Sequence, residues 1–304
     1  MERLSSILLS VDVTARGFDA EEGPPLEVLS AIAETNWVAE VSGAKVTVMA
    51  TVEQDSDPEL VDFARFRLEQ IVVPRLEAKG DIDVVAVAGD PQQTVVKQVL
   101  KAGHDLVVVG ARKSSLVHRT LVGSTSLALL RTCPCAVLVA PRRSETGSRV
   151  VLSAVAMKHD LTPRVLEVSA KIVKRRGGRW HVFHCPEYPL EGGMRLRGVD
   201  VQQVEEYEAE VRKEAWADLH AVCDPLEKEI GVKPKLWMSE GLPSEQIGLA
   251  VRELGADILV MGTRGRRGLA GVLVGNTAEK VFHTTECALL AIKPEGFESP
   301  VSAD

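Results

Sequence analysis

Asp257-Ile258-Leu259-Val260-Met261-Gly262-Thr263-Arg264-Gly265-Arg266-Arg267-Gly268-Leu269-Ala270-Gly271-Val272-Leu273-Val274-Gly275-Asn276-Thr277-Ala278-Glu279-Lys280 is the stretch that decides the fold. It opens with a short apolar run, the pattern of a strand buried on both faces. A glycine-rich basic loop follows. Gly275-Asn276-Thr277 then leads into a helix, with Asn276 or Thr277 expected at the N-cap. Strand, glycine loop and helix N-terminus together form an anion seat. Glycines admit a phosphate close to the backbone, and free N–H groups and the helix dipole point at it.

The same stretch occurs twice. Asp105-Leu106-Val107-Val108-Val109-Gly110 repeats the opening run, and Gly110 and Gly262 are 152 residues apart. Gly123 and Gly275, Gly89 and Gly241, and Cys135 and Cys287 keep the same 152-residue spacing. A constant register of this length marks a duplicated α/β domain, since it is far too long for a solenoid repeat.

Size and composition agree. A chain of 304 residues gives a prior of two domains, each large enough for its own core. No apolar run approaches the roughly 18 residues of a membrane span. Met1-Glu2-Arg3-Leu4-Ser5-Ser6 lacks the features of a signal peptide, so a cytoplasmic location is expected. The net charge of −7 argues against nonspecific nucleic-acid binding. The cluster Arg264, Arg266 and Arg267 is the local exception. It is either part of the anion seat or a solvated loop.

Five cysteines, Cys133, Cys135, Cys185, Cys223 and Cys287, make no disulfide framework. Cys133-Pro134-Cys135 is the one close pair, and Cys135 reads as a buried strand cysteine rather than a redox centre. His181, His184 and Cys185 are close in sequence. His184 alternates to the opposite strand face, which weakens a metal reading.

Taken in order, the first half alternates strands at 6–13, 45–50, 82–87, 106–109 and 136–140 with four helices. The helices begin near Leu26, Pro58, Pro91 and Ser124. Phe63, Phe66, Ile71 and Leu76 are expected in the core. The second half repeats the plan, with strands at 150–155, 180–185, 233–238, 258–262 and 288–292. A loop at 186–198 and a long helix at 201–230 distinguish it. The segment 295–304 is expected to be loose. Alternation of this kind implies parallel, doubly wound sheets with right-handed crossovers. Polar residues 141–148 form the linker, giving domains at 1–143 and 149–294.

The spacing Gly262-x2-Gly265-x9-Gly275-Asn276 resembles the nucleotide-binding motif of the universal stress protein family, except that Asn276 stands where the family has Ser or Thr. Asp12, at the end of the first strand, matches the family's adenine-recognising Asp. Alone it would equally serve as a strand-end loop cap. Nearly the whole chain, twice, is similar to the tandem-repeat, universal stress protein E-like subgroup. The resemblance implies two five-stranded, Rossmann-like domains of the adenine nucleotide alpha hydrolase type. It further implies that residues 135–140 and 287–292 pair within one chain, as a pseudo-dimer, and allows a homodimer of two such chains. The ligand it implies is ATP or a related adenine nucleotide, with Mg²⁺ accompanying it.

Both sites are incomplete, in opposite ways. The first half keeps Asp12, Gly110, Gly123 and Ser124 but has Lys113 where the second glycine belongs. A non-glycine residue there costs about 1–2 kcal/mol if the position needs positive φ. Lys113 alternatively supplies charge to a phosphate. The second half keeps Gly262, Gly265, Gly275, Asn276 and Thr277, with Arg264 beside them. Its counterpart of Asp12 is Ala156, and losing that carboxylate weakens base recognition by about 1–3 kcal/mol. The second half is therefore the expected site for a nucleotide or anion, unless its glycines only shape a turn.

Three functions remain open. One is a non-catalytic stress-response regulator with a nucleotide or anion ligand. Another is a scaffold without nucleotide that binds a protein partner or another small molecule. The third is a slow ATPase, which requires a Mg²⁺-binding carboxylate and a water-positioning residue that the sequence does not identify. Phosphate-loop, dinucleotide-binding, nucleophile-elbow and zinc-protease motifs are absent.

Overall fold

The computed structural model describes residues 4–14, 18, 23–111, 123–141, 150–157, 159–263 and 275–303. In the first half the order is β1 (Ser6–Val11), α1 (Leu26–Ser42), β2 (Lys45–Val52), α2 (Pro58–Arg67), β3 (Asp83–Ala88), α3 (Pro91–Ala102), β4 (Leu106–Gly110), α4 (Ser124–Thr132) and β5 (Ala136–Ala140). The second half continues with β6 (Val150–Val155), α5 (Thr162–Arg176), β7 (Arg179–His184), α6 (Glu191–Leu196), α7 (Val201–Ile230), β8 (Lys235–Met238), α8 (Pro243–Leu254), β9 (Ile258–Gly262), α9 (Asn276–Thr284) and β10 (Ala288–Ile292).

Among the described residues ten strands lie in one sheet, ordered β3-β2-β1-β4-β5-β10-β9-β6-β7-β8. Each half is parallel. The halves join where β5 and β10 run antiparallel, with Leu138 opposite Leu290. The two expected five-stranded sheets are thus merged into one. Joining the last strands removes two open edges whose unpaired N–H and C=O groups would invite association.

Strand composition explains the two-faced core. In β4, Leu106 and Val108 join one cluster, while Val107 and Val109 join the other, as a two-residue period requires. The first cluster gathers residues of α1, α2, α5 and α7, and the second gathers α3, α4, α8 and α9. Helix starts follow local chemistry. Asp90 caps α3 by accepting from Gln93 N at 2.9 Å, and Pro91 occupies the first turn.

A second repeated device fixes the strand entries. Asp105 Oδ2 accepts from Ser5 N at 2.7 Å and Ser6 N at 3.0 Å, just before β4. Its counterpart Asp257 accepts from Val150 N at 2.6 Å. Each carboxylate ties the start of the first strand of its half to the start of the fourth.

Several expectations need correction. β1 ends at Val11 rather than Val13. Phe63 and Phe66 are 47% and 56% exposed and are not core. The buried residues around them are Ala64, Leu68, Ile71 and Val72, and Arg67 lies over the Phe63 ring at 4.4 Å. A π turn over Leu68–Val72 re-aims the chain after α2. The loop at 186–198 contains α6. The terminal segment is partly packed, with Phe297 under Lys293 and Val301 against the second cluster. Among the described residues, no helix is long and apolar enough to cross a membrane.

Candidate functional site

The strand order reverses direction between β1 and β4, and again between β6 and β9. In open parallel sheets the crevice outside the carboxyl ends at such a reversal is where ligands sit. Asp12 follows β1 and Gly110 ends β4, so the first-half candidates flank that crevice. Ala156 and Gly262 flank its counterpart.

The first glycine of each motif has a packing reason. A Cβ on Gly110 would stand 2.5 Å from the Glu27 carbonyl oxygen, at the start of α1. A Cβ on Gly262 would stand 2.8 Å from Leu161 Cδ1, at the start of α5. In both halves the bare glycine lets the first helix close onto the end of the fourth strand.

The helix that follows each loop begins at a glycine. Gly123 is the N-cap of α4 and Gly275 that of α9, and neither has a side-chain cap. This corrects the expectation of Asn276 or Thr277 as cap, because Asn276 is already the first helical residue. Gly275 N donates to the carbonyl of buried Thr263 at 2.8 Å, closing the loop at its neck. Thr263 N in turn donates to Ile292 O at 3.1 Å. The first-turn N–H groups of Asn276, Thr277 and Ala278 have no partner within the helix, as at any helix start. They face the end where an anion is stabilised by the dipole. Sequence reasoning passed over Thr263; its place directly after Gly262 was the available signal.

In the first half, Ser126 Oγ lies 3.5 Å from Gly110 O, holding the α4 first turn against β4. Ser124 and Thr125 follow the Gly123 cap. Asp12 Oδ1 accepts from Thr14 N at 2.9 Å and from Thr14 Oγ1 at 2.7 Å. That is the strand-end loop cap. Lys113, Arg264 and Gly265 lie outside the described residues, as do Arg266 and Arg267.

The loop at Ala156 is held by its own backbone. Ala156 O accepts from Thr162 Oγ1 at 2.7 Å and from His159 N at 3.2 Å. His159 Nδ1 stands 3.1 Å from Leu161 N and 2.7 Å from Asp160 Oδ1. The first contact needs a bare nitrogen and the second a protonated one. Nearby Arg164 donates to Lys293 O at 3.2 Å and sets a guanidinium beside the ends of α5 and β10.

The His181, His184 and Cys185 group is engaged elsewhere. His181 Nδ1 accepts from Trp237 Nε1 at 2.7 Å, which leaves the proton on Nε2. Burial holds that ring below the ordinary imidazole range. His184 Nδ1 meets Val155 O at 2.9 Å, and Cys185 Sγ donates to Gly241 O at 3.2 Å. Burial pushes the Cys185 thiol up to about 11.

Known proteins match this layout. The model of the universal stress protein family matches residues 18–141 and again residues 148–293. Universal stress protein E of Escherichia coli K12 is 28% identical over 217 residues, covering 70% of this chain and 68% of the relative. The universal stress protein E homolog of Haemophilus influenzae is 25% identical over 239 residues, covering 76% of this chain and 74% of its own. A crystal structure of a universal stress protein from Archaeoglobus fulgidus superposes with a TM-score of 0.68 at 19% identity. It covers 96% of this chain and 99% of its own, which establishes a shared fold.

Proposed function

The chain belongs to the universal stress protein family, as a tandem repeat, and on that premise we propose that it is a non-catalytic stress-response regulator whose second half takes an ATP-like nucleotide or anion. The proposed site residues are Gly262, Arg264, Gly265, Gly275, Asn276 and Thr277. The observation that carries this reading is the neck of the loop. Gly275 N closes onto Thr263 O at 2.8 Å, and the uncapped first turn of α9 opens at the carboxyl edge of the sheet. A phosphate there meets backbone N–H groups and the positive end of a helix. The family motif, intact in its three glycines in this half alone, supports the same choice. The proposed units are residues 1–143 and 149–294, and a cytoplasmic location goes with the reading.

A second reading has its own observation. Asp12, the only carboxylate of the pair of matching positions, already accepts two hydrogen bonds from Thr14 through Oδ1, and Ala156 has none to offer. This favours a scaffold that works without adenine recognition, through a protein partner or another small ligand.

Calorimetry with ATP, ADP and AMP, each with and without Mg²⁺, separates the two. One nucleotide or phosphate group bound per chain supports the regulator. No heat at millimolar nucleotide supports the scaffold.

A further inference from the structure

The turn Cys133-Pro134-Cys135 joins α4 to β5 and brings two thiols together within the electrostatic reach of a buried lysine. The two Sγ atoms are 3.5 Å apart. Cys133 is the C-cap of α4 and is 0% exposed, whereas Cys135 keeps partial access to solvent. Lys293 arrives from the other half, directly after β10, and is 3% exposed. Its ammonium donates to Leu130 O at the end of α4 and lies 4.6 Å above the Phe297 ring.

The duplication does not explain this trio. The position 152 residues after Cys133 is Thr285, whose hydroxyl donates to Val281 O at 3.0 Å. The position 152 residues before Lys293 is Pro141. Among the described residues Cys287, the counterpart of Cys135, makes no thiol–thiol hydrogen bond like that of Cys133 and Cys135, and burial pushes it up to about 12. A buried ammonium is costly unless something anionic or strongly polar faces it. Among the described residues no carboxylate is ion-paired with Lys293, and the charges that act on it are those of the two cysteines.

We propose that Cys133 and Cys135 are a modification site, at which a peroxide forms a reversible intrachain disulfide beside the Lys293 ammonium. The two sulfurs are already differentiated. Their mutual hydrogen bond, helped by Lys293, holds Cys133 below the usual thiol range. The same hydrogen bond, with burial, pushes Cys135 well above it. The result is two sulfurs in contact of which Cys133 gives up its proton the more readily, the asymmetry that thiol chemistry uses.

The Cys133 thiolate attacks a peroxide oxygen. An S–O bond forms, the O–O bond breaks, and hydroxide leaves and takes up a solvent proton. The Cys135 sulfur then attacks the sulfenic sulfur of Cys133. The S–S bond forms, the S–O bond breaks, and hydroxide departs with the Cys135 proton as water. Two thiols are oxidised and one hydrogen peroxide is reduced to two waters. Cys133 is itself fully buried, so the reaction requires that a small peroxide enter beside the partly exposed Cys135.

The test uses the reduced full-length protein with stoichiometric hydrogen peroxide, followed by denaturing alkylation, trypsin and mass spectrometry. The tryptic peptide 132–142 contains both cysteines and no other. It is expected to lose two hydrogens and take no alkyl group, and to recover both thiols with dithiothreitol. Cys185, Cys223 and Cys287 are expected to stay alkylatable. Cys135→Ser is expected to leave a sulfenic acid on Cys133 that dimedone traps. Lys293→Met is expected to slow disulfide formation by about threefold, since losing the nearby positive charge leaves less thiolate but makes what remains more nucleophilic. Lys293→Arg keeps the charge and is expected to keep the rate. Peptide 132–142 staying doubly alkylated while the other cysteines oxidise would overturn the proposal, as would equal rates in wild type and Lys293→Met.

Discussion

Gly262 and Leu161 are in contact so close that a single added methyl would not fit: a Cβ on Gly262 would stand 2.8 Å from Leu161 Cδ1 and 3.3 Å from its Cβ. Gly110 has the same relation to Glu27, but there the blocking atom is the backbone carbonyl oxygen, 2.5 Å away. A side-chain terminus can turn aside, whereas a helix backbone cannot. Gly110→Ala is therefore expected to cost more than Gly262→Ala, about 1–3 kcal/mol for the former as for other overpacked sites. Urea unfolding of both variants checks the order; equal costs would mean that the helix start yields as easily as a leucine tip.

The clamp at Asp105 is expected to be worth more than a surface polar contact. Its Oδ2 accepts from Ser5 N, Ser5 Oγ and Ser6 N at 2.7, 2.8 and 3.0 Å. Asp105→Ala leaves these donors to water or unpaired, and is expected to destabilise by about 1–3 kcal/mol. Hydrogen exchange at Ser6 should quicken in the variant. Unchanged exchange there would mean that β1 is held by its sheet partners alone.

Lys293 gives stability a pH signature. Burial lowers its ammonium from 10.5 to about 8. Below about pH 8 it is charged in both folded and unfolded chains, and the full cost of burying charge is present. Between about 8 and 10.5 the folded chain releases the proton first, so the unfolded chain holds more protons and stability from this group rises with pH. Lys293→Met has no such dependence. Its stability relative to wild type is expected to be more favourable at pH 7 than at pH 10.5, by roughly 3 kcal/mol at most. Comparing the two proteins cancels Cys185, Cys223 and Cys287, whose thiols burial raises and which act in the opposite direction, and making both proteins Cys133→Ala/Cys135→Ala removes the two thiols on which Lys293 itself acts. Chemical denaturation under reducing conditions at both pH values measures the difference; a gap that does not change with pH would mean that Lys293 is charged throughout.

The β5–β10 junction is expected to make the two halves unfold as one cooperative unit. Leu138 is 1% exposed and faces Leu290 across it. Leu138→Ala is expected to cost about 2–5 kcal/mol and to lower a single unfolding transition. Arg131 and Glu279 also bridge the halves, through α4 and α9, but their side chains are 40% and 33% exposed. Glu279→Gln is expected to change stability by less than about 1 kcal/mol. Two separate calorimetric transitions in wild type would contradict the coupling.

Strongly patterned elements were legible in the sequence, and contextual ones were not. The limits of β5, β6, β10 and α7 follow from apolar runs and bounding polar residues, and the structure places them at 136–140, 150–155, 288–292 and 201–230. The repeat itself stands in the 152-residue spacing. By contrast, Phe63 and Phe66 read as core because two helical faces compete in α2, and periodicity cannot choose between them. The face with Ala64 and Leu68 wins, and Phe63 is covered by Arg67 instead. The merging of two sheets depends on a contact between distant strands, and only the family resemblance suggested it. Lys293 was missed because a lysine after an apolar strand ordinarily marks the exit to solvent. At the candidate site, the glycine spacing pointed to the strand ends, and Gly110 and Gly262 are the last residues of β4 and β9. It gave no sign that Gly110 and Gly262 also serve helix packing, or that a glycine would be the cap.

The claim that the second half is the binding half meets its most direct test in one pair of variants. Asp at a helix start suits the dipole and keeps the fold, but it repels a phosphate at the same place. Calorimetric titration with ATP is expected to show one site in wild type, retained in Ser124→Asp and lost in Asn276→Asp and Gly265→Lys. Binding that survives Asn276→Asp but disappears in Ser124→Asp would contradict the account and move the site to the first half.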